Sequence, residues 1–240
     1  MRETLNKLAR YDTPTICNVI ELFEVRSRAV GYMDGTIRAA CEGLPPMVGF
    51  AATATVQASQ PGAGTDIYKS IELQMQKILE LPGPAVVVFQ DLDDPAVGAS
   101  FGEVMCGSYK AFGCVGLISS GAGRDIEQVR QMQFPVFIGS TICSHAYTQL
   151  VEIGVEVDVG GITVSNGELL HGDTNGVTTV PLDIASEVAD VADEYIAAER
   201  IVLDYLEESG ETEVQKLVEC RRAMGQTIGE LRNRVSRKHS

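Results

Sequence analysis

The chain has no apolar run long enough to cross a membrane. Its longest uninterrupted stretches, such as Pro84 to Phe89 and Val177 to Val180, are strand-length, whereas a spanning helix takes about 20 apolar residues. The opening residues, MRETLNKLARYDTPTICNVIELF, mix charged and apolar side chains with no apolar core before a small-residue cleavage site. No secretory signal is expected from them. Positive charge is also scarce: 19 lysines and arginines stand against 33 aspartates and glutamates, a formal net charge of −14. So acidic a body repels phosphate backbones and argues against nucleic-acid binding, while leaving room for a metal ion or small anion at a local site. The six cysteines (Cys17, Cys41, Cys106, Cys114, Cys143, Cys220) form no CxxC pair and have no closely matched histidine. Neither a zinc cluster nor a disulfide framework is therefore expected, and free thiols in a cytoplasmic, reducing compartment fit better. The only basic cluster, Arg232, Arg234, Arg237, Lys238 and His239, reads as a solvated helix end.

At 240 residues and 45% hydrophobic, the chain has material for one substantial core. Its pattern predicts a main α/β domain over residues 1–206 and a C-terminal helical extension over 207–240. A short helix, a break at Asp12-Thr13-Pro14 and a second helix come first. Val48 to Gln57 reads as a strand. The segment 59–66, SQPGAGTD, is glycine-rich but lacks the GK[ST] ending of a phosphate loop, so it reads as a turn with Thr65 or Asp66 capping a helix over 67–81. A regular alternation follows: strand 85–89, helix 102–112, strand 114–118, helix 125–133 and strand 136–138, the signature of parallel βαβ units. Short apolar runs at 155–159, 162–164, 168–171 and 177–180 are joined by Gly160-Gly161, Asn166-Gly167 and Asp173-Thr174-Asn175-Gly176, which are hairpin signals. Two helices, 184–206 and 212–235, close the chain. The second is polar enough to pack on another subunit or project outward.

Chemistry concentrates where strand 114–118 ends. Ser119 to Gly123 read as a loop at the carboxyl end of a parallel strand, where such folds bind ligands. The helix beginning near Asp125 offers free N–H groups and a positive dipole end to a carboxylate or phosphate. Arg124 adds a planar, bidentate clamp for a carboxylate. Asp125 adds one hard oxygen for Mg²⁺, which keeps several waters and takes one or two protein carboxylates. The plainer account is that Asp125 caps its own helix and Arg124 makes a surface ion pair. Glu103 changes the balance, because its helix also starts after a strand and loop. Adjacent parallel units put both helix starts on one rim, with Gly102, Val104 and Met105 facing Arg124-Asp125 across a small cleft and Glu103 beside any metal-bound water. His145 and His171 have no partner spaced for metal binding and read as packed or loop histidines. Cys106 and Cys114 read as buried thiols.

The stretch FGEVMCGSYKAFGCVGLISSGAGRD, followed by FPVFIGST and by GELLHGDTNGVTTVP, resembles the RraA-like family, whose members include class II pyruvate aldolases acting on 4-hydroxy-4-methyl-2-oxoglutarate. The resemblance covers roughly residues 10–205. The aldolases carry an acid, twenty intervening residues and then Arg-Asp; Glu103 and Arg124-Asp125 reproduce that spacing, with Glu in place of Asp. Departures are Ser120-Gly121 for the common Asp-Gly, Asn18 for a frequent Asp, and Ser165 to Glu168 for a usual Pro-Gly-Asp. The resemblance implies a β/β/α swivelling-type domain with helical N- and C-terminal segments, assembled as a trimer or hexamer. It further implies Mg²⁺ or Mn²⁺ on Asp125, a small 2-oxo acid bound by Arg124 and the amides of Gly102, Val104 and Met105, and a water positioned by Glu103. Glu199 would reach a neighbouring subunit's site. The activity implied is retro-aldol cleavage with oxaloacetate decarboxylation through the same pyruvate enolate. The alternative is a non-catalytic regulator binding a protein partner such as ribonuclease E, or an oligomer with a vestigial site.

Overall fold

The computed structural model describes residues 1–62, 67–208, 210 and 212–238. The elements run α1 (Arg2–Leu8), α2 (Thr13–Phe23), β1 (Arg38–Ala39), β2 (Met47–Gln57), α3 (Ile67–Leu79), β3 (Ala85–Asp91), β4 (Ala99–Phe101), α4 (Glu103–Ala111) and β5 (Gly116–Gly123). They continue as α5 (Ile126–Gln131), β6 (Val136–Thr141), β7 (Gln149–Ile153), β8 (Val157–Val159), β9 (Ile162–Val164), β10 (Leu169–Asp173), β11 (Gly176–Thr179), α6 (Ala185–Glu208) and α7 (Val214–Val235). The helix cap expected at Thr65 or Asp66 lies outside the described residues. The chain divides into two compact units, one formed by 1–13 and 31–182, the other by 14–30 and 183–240.

In the first unit, side chains alternate between two apolar clusters, and that alternation fixes three layers. Val87 and Phe89 of β3, Leu117 of β5 and Val136 and Ile138 of β6 pack with Met75, Ile78, Cys106, Tyr109 and Val129 of helices α3, α4 and α5. Their neighbours Val86, Val88, Ile118 and Phe137 pack on the other face with Val157, Val159 and Val164 of the β8–β9 hairpin. A strand covered on both faces reads as a continuous apolar run, as β2 does: it is buried from Met47 through Val56. The result is the expected β/β/α arrangement, a two-stranded sheet on a nine-stranded sheet on helices.

Along the large sheet the order is β1-β6-β5-β3-β2-β10-β11, with β4 beside β5 and β7 beside β2. The β2–β3, β3–β5 and β5–β6 pairs are parallel, which bears out the βαβ reading. Antiparallel hairpins form at Gly160-Gly161 and at Asp173 to Gly176. Asn166-Gly167 is different: β9 and β10 belong to separate sheets, and β10 pairs with β2. A turn signal marks a reversal without choosing the partner. The buried His171 helps hold this region together. Its Nε2 lies 3.2 Å from the Leu8 carbonyl, and its Nδ1 lies 2.9 Å from the Thr13 hydroxyl. The carbonyl can only accept, so Nε2 carries the proton and Nδ1 accepts from Thr13.

The second unit is a helical hairpin with α2. Arg234 Nη1 donates to Glu194 at 3.0 Å, Lys238 Nζ to Glu24 at 2.7 Å, and Arg237 pairs with Glu187 while lying 5.7 Å over the Phe23 ring. The basic cluster is thus engaged with α2 and α6, which corrects its reading as a merely solvated helix end; His239 lies outside the described residues. None of the helices described is long and apolar enough to cross a membrane.

Candidate functional site

Two strand ends and two helix starts build the site. β4 passes through Gly102 into α4, β5 passes through Arg124 and Asp125 into α5, and β4 pairs with β5 in parallel, Ala99 opposite Ala122 and Phe101 opposite Gly123. Both helices therefore start on one rim. The segment Ser119 to Gly123, expected as a loop, is strand: β5 runs to Gly123, with a register irregularity between Ser119 and Ala122. Its small residues read as a turn in sequence, but here they admit close neighbours. The Phe101 ring fills the space a Cβ would take at Gly123, and the Asp91 side chain fills that at Gly121. Ser120 ties the strands together, its Oγ accepting the Asp91 N–H at 2.8 Å. Burial pushes the Asp91 carboxyl up, with the Asp93 N–H opposing and the Asp93 charge adding to the shift.

Asp125 stands in the left-handed region at φ 56°, a conformation Asp tolerates better than most residues. There its carboxylate makes no cap bond to α5. Instead Oδ2 accepts the Glu103 N–H at 3.0 Å, which corrects the plainer account: Asp125 caps the neighbouring helix. Gly102 makes this possible, since a Cβ there would sit 2.5 Å from Asp125 Oδ2. The first α-helical bond of α4 runs from the Cys106 N–H to the Gly102 carbonyl. The Val104 and Met105 N–H groups precede it and have no helical acceptor. Arg124 Nε lies 3.9 Å from Asp125 Oδ2, and Nη1 reaches toward the Cys143 carbonyl at 3.5 Å.

These groups line a cleft of about 230 Å³, with Gly102, Val104, Met105, Arg124 and Asp125 on its helix side. His145 and Thr148, from the loop after β6, form the remainder with Ala99 to Phe101. The structure thus brings together five of the seven expected residues. Glu103 is exposed and does not line the cleft with its side chain, although its N–H holds Asp125. Glu199 lies half-buried on α6, in the second unit, and is not a lining residue. His145, read as a loop histidine, is a lining residue. The signal was its place after a parallel strand in GSTICSHAY, but no partner at a metal-binding spacing drew attention to it. Burial pushes the Cys106 and Cys114 thiols up to about 12, so both stay protonated, in keeping with inert packing. Among the described residues no three His, Cys, Asp or Glu side chains group as a metal cage.

A family model described as RraA-like, Aldolase/RraA, matches residues 13–179. The chain belongs to this family. Among curated relatives, a Halalkalibacterium halodurans protein named "Putative 4-hydroxy-4-methyl-2-oxoglutarate aldolase" is 30% identical over 122 residues, 50% of this chain and 58% of that protein. An uncharacterized protein of Methanocaldococcus jannaschii is 29% identical over 145 residues, 60% of this chain and 65% of that one. The chain therefore matches less than two thirds of the length of either relative. An uncharacterized protein of Pseudomonas syringae pv. tomato has a crystal structure that superimposes with a TM-score of 0.71 at 24% identity, covering 92% of this chain and 94% of that one. Streptomyces coelicolor RraAS2, an unusual member of the RNase ES inhibitor RraA protein family, gives 0.65 at 22% identity, covering 82% and 94%. At these identities the structures show a shared fold.

Proposed function

We propose that the protein is a divalent-metal-dependent carbon–carbon lyase of the class II pyruvate aldolase type, cleaving 4-hydroxy-4-methyl-2-oxoglutarate or a related 2-oxo acid and decarboxylating oxaloacetate through the same enolate. The observation that carries this reading is the convergence of the Asp125 carboxylate, the Arg124 guanidinium and the amides that open α4 on one cleft. The donor set fits a hard ion of the Mg²⁺ or Mn²⁺ kind. Asp125 offers a half-exposed carboxylate, and an ion that keeps most of its coordination sphere in water and substrate oxygens needs no protein cage. Asp125 would hold that ion, which when bound polarises the 2-oxo group and stabilises the enolate.

The chain's own residues supply the rest. The Val104 and Met105 N–H groups, at the positive end of α4, receive the carboxylate next to the 2-oxo group. Arg124, whose ion pair with Asp125 is long at 3.9 Å, turns its fork on the 2-oxo oxygen and that carboxylate, where negative charge grows as the carbon–carbon bond breaks. Glu103 is proposed to position water at the cleft mouth. Glu199 of a neighbouring copy in a trimer or hexamer is proposed to complete the site. An exposed Glu103 outside the cleft lining also suits a non-catalytic regulator that binds a partner such as ribonuclease E. Pyruvate release from 4-hydroxy-4-methyl-2-oxoglutarate and from oxaloacetate, with Mg²⁺, with Mn²⁺ and with chelator, separates the two. The lyase reading expects metal-dependent turnover on at least one substrate. Turnover on neither, together with retention of ribonuclease E at micromolar concentration, would establish the regulator instead.

A further inference from the structure

Resting on the lyase reading, we propose that His145 is the general base of the cleavage step, accepting the proton of the substrate's C4 hydroxyl at Nε2. The polar side chains lining the cleft are few, and most are engaged. Ser100 Oγ lies 2.9 Å from Ser119 Oγ and donates to the Ala122 carbonyl at 3.0 Å. Thr148 Oγ1 has the Ala99 and His145 carbonyls at 2.8 and 2.7 Å for its single proton. Arg124 and Asp125 are assigned to the pyruvyl end of the substrate. His145 remains, exposed at the cleft, with Nδ1 2.8 Å from the Ala146 carbonyl. A carbonyl only accepts, so Nδ1 carries the proton in the neutral ring and Nε2 presents its lone pair. Among the described residues no hydrogen bond engages Nε2.

The loop keeps the ring in place. Ala146 sits at φ 44°, its N–H donates to Ser144 Oγ, and the Ser144 carbonyl accepts the Ala99 N–H at 2.8 Å. His145 is therefore tied to β4, the strand that leads into α4. With the pyruvyl end held by Arg124 and the α4 amides, the C4 end of the substrate is directed to the loop side of the cleft.

The step balances without an added reagent. The C4 hydroxyl proton passes to His145 Nε2 and the C4–O bond becomes the carbonyl of the departing pyruvate. The electron pair of the C3–C4 bond moves onto C3 and the 2-oxo oxygen as the enolate, and the proton on Nε2 returns to C3 to give the second pyruvate. Oxaloacetate loses carbon dioxide from C4 with no hydroxyl proton to remove, so its bond cleavage needs no such base.

His145→Asn separates the two reactions. The Asn amide reaches the Nδ1 position and keeps the bond to Ala146, but it has no basic nitrogen. With metal bound, the ratio of 4-hydroxy-4-methyl-2-oxoglutarate cleavage to oxaloacetate decarboxylation is expected to fall about 100-fold or more, the usual contribution of general acid–base catalysis. An unchanged melting temperature checks the fold, and added imidazole is expected to restore cleavage in His145→Ala. An equal fall in both reactions, or in neither, overturns the assignment of His145 while wild-type turnover leaves the lyase reading standing. A wild type inactive on both substrates removes the lyase reading and this base with it.

Discussion

Asp125 joins two elements at the edge of the cleft. Its Oδ2 satisfies the Glu103 N–H, a role that in capping substitutions is worth about 1 kcal/mol, while the carboxylate still borders the cleft. Gly102 is the residue that permits both. Its backbone, at φ −156° and ψ −166°, is extended and open to any residue, so what opposes a side chain is the crowding of the Cβ position by Asp125 Oδ2 at 2.5 Å and by Arg124 Cγ and Nε at 3.2 Å. Gly102→Ala should displace the carboxylate, costing about 1–3 kcal/mol in urea denaturation, as overpacking commonly does, and lowering lyase turnover with it. Stability and turnover like wild type would show that Asp125 has room to move. His171 makes a separate prediction. Burial lowers its pKa from the ordinary 6.5, against the Leu8 carbonyl and the Asp173 charge, which favour the proton. The unfolded chain therefore binds more protons than the folded one between the lowered value and 6.5, and stability rises with pH across that window. Unfolding free energy measured against pH should be flat in this contribution above the ordinary imidazole value and decline as pH falls through it. His171→Phe should remove that slope; a slope that persists unchanged assigns it to other groups.

Among the elements, those with one strong period were legible in sequence and those without were not. β2 and β3 read as apolar runs, and α3, α4 and α6 as helical repeats followed by glycine or proline, with boundaries close to those found; α7 reads as a helical repeat without such a stop, and β6 is legible only over its first half, 136–138, although it runs to Thr141. β1, β4 and β7, of 2, 3 and 5 residues, lack the paired glycine-bearing turns that mark the equally short β8 to β11. Past Ile118, β5 reads as a loop because Ser and Gly favour turns locally. Their smallness serves tertiary contact, with Asp91 and Phe101 filling the space beside Gly121 and Gly123. The site was half legible for the same reason. Arg124 and Asp125 lie where their spacing from Glu103 placed them, whereas the cap runs between helices, a contact no local rule encodes. His145 enters only through a loop folded back onto β4. Ser120, where family members commonly carry Asp, accepts the Asp91 N–H and does not line the cleft. Ser120→Ala should therefore cost about 0.5–1.5 kcal/mol of stability, the range for one hydrogen bond, while kcat stays as in wild type. A large loss of kcat at intact stability would place Ser120 in the chemistry.

At the largest scale, the three layers of the first unit hold two parallel strands and their helices in register, and that register brings a carboxylate, a guanidinium and a helix N-terminus to one small volume. The acidic body leaves Arg124 as the positive side chain lining the cleft, which suits a substrate whose charge is neutralised locally. Asp125 is proposed to hold the metal on which lyase turnover would depend. Asp125→Asn keeps an oxygen to accept the Glu103 N–H, so it separates metal binding from capping. The direct measurement is pyruvate release from 4-hydroxy-4-methyl-2-oxoglutarate, titrated with Mg²⁺ or Mn²⁺, in wild type and Asp125→Asn proteins of matched melting temperature. Metal-dependent turnover is expected in wild type and its loss by about 100-fold or more in the variant, since a bound metal supplies several kcal/mol of charge stabilisation. Equal metal-dependent turnover in the two proteins, or turnover in wild type that ignores the metal, would contradict this role of Asp125.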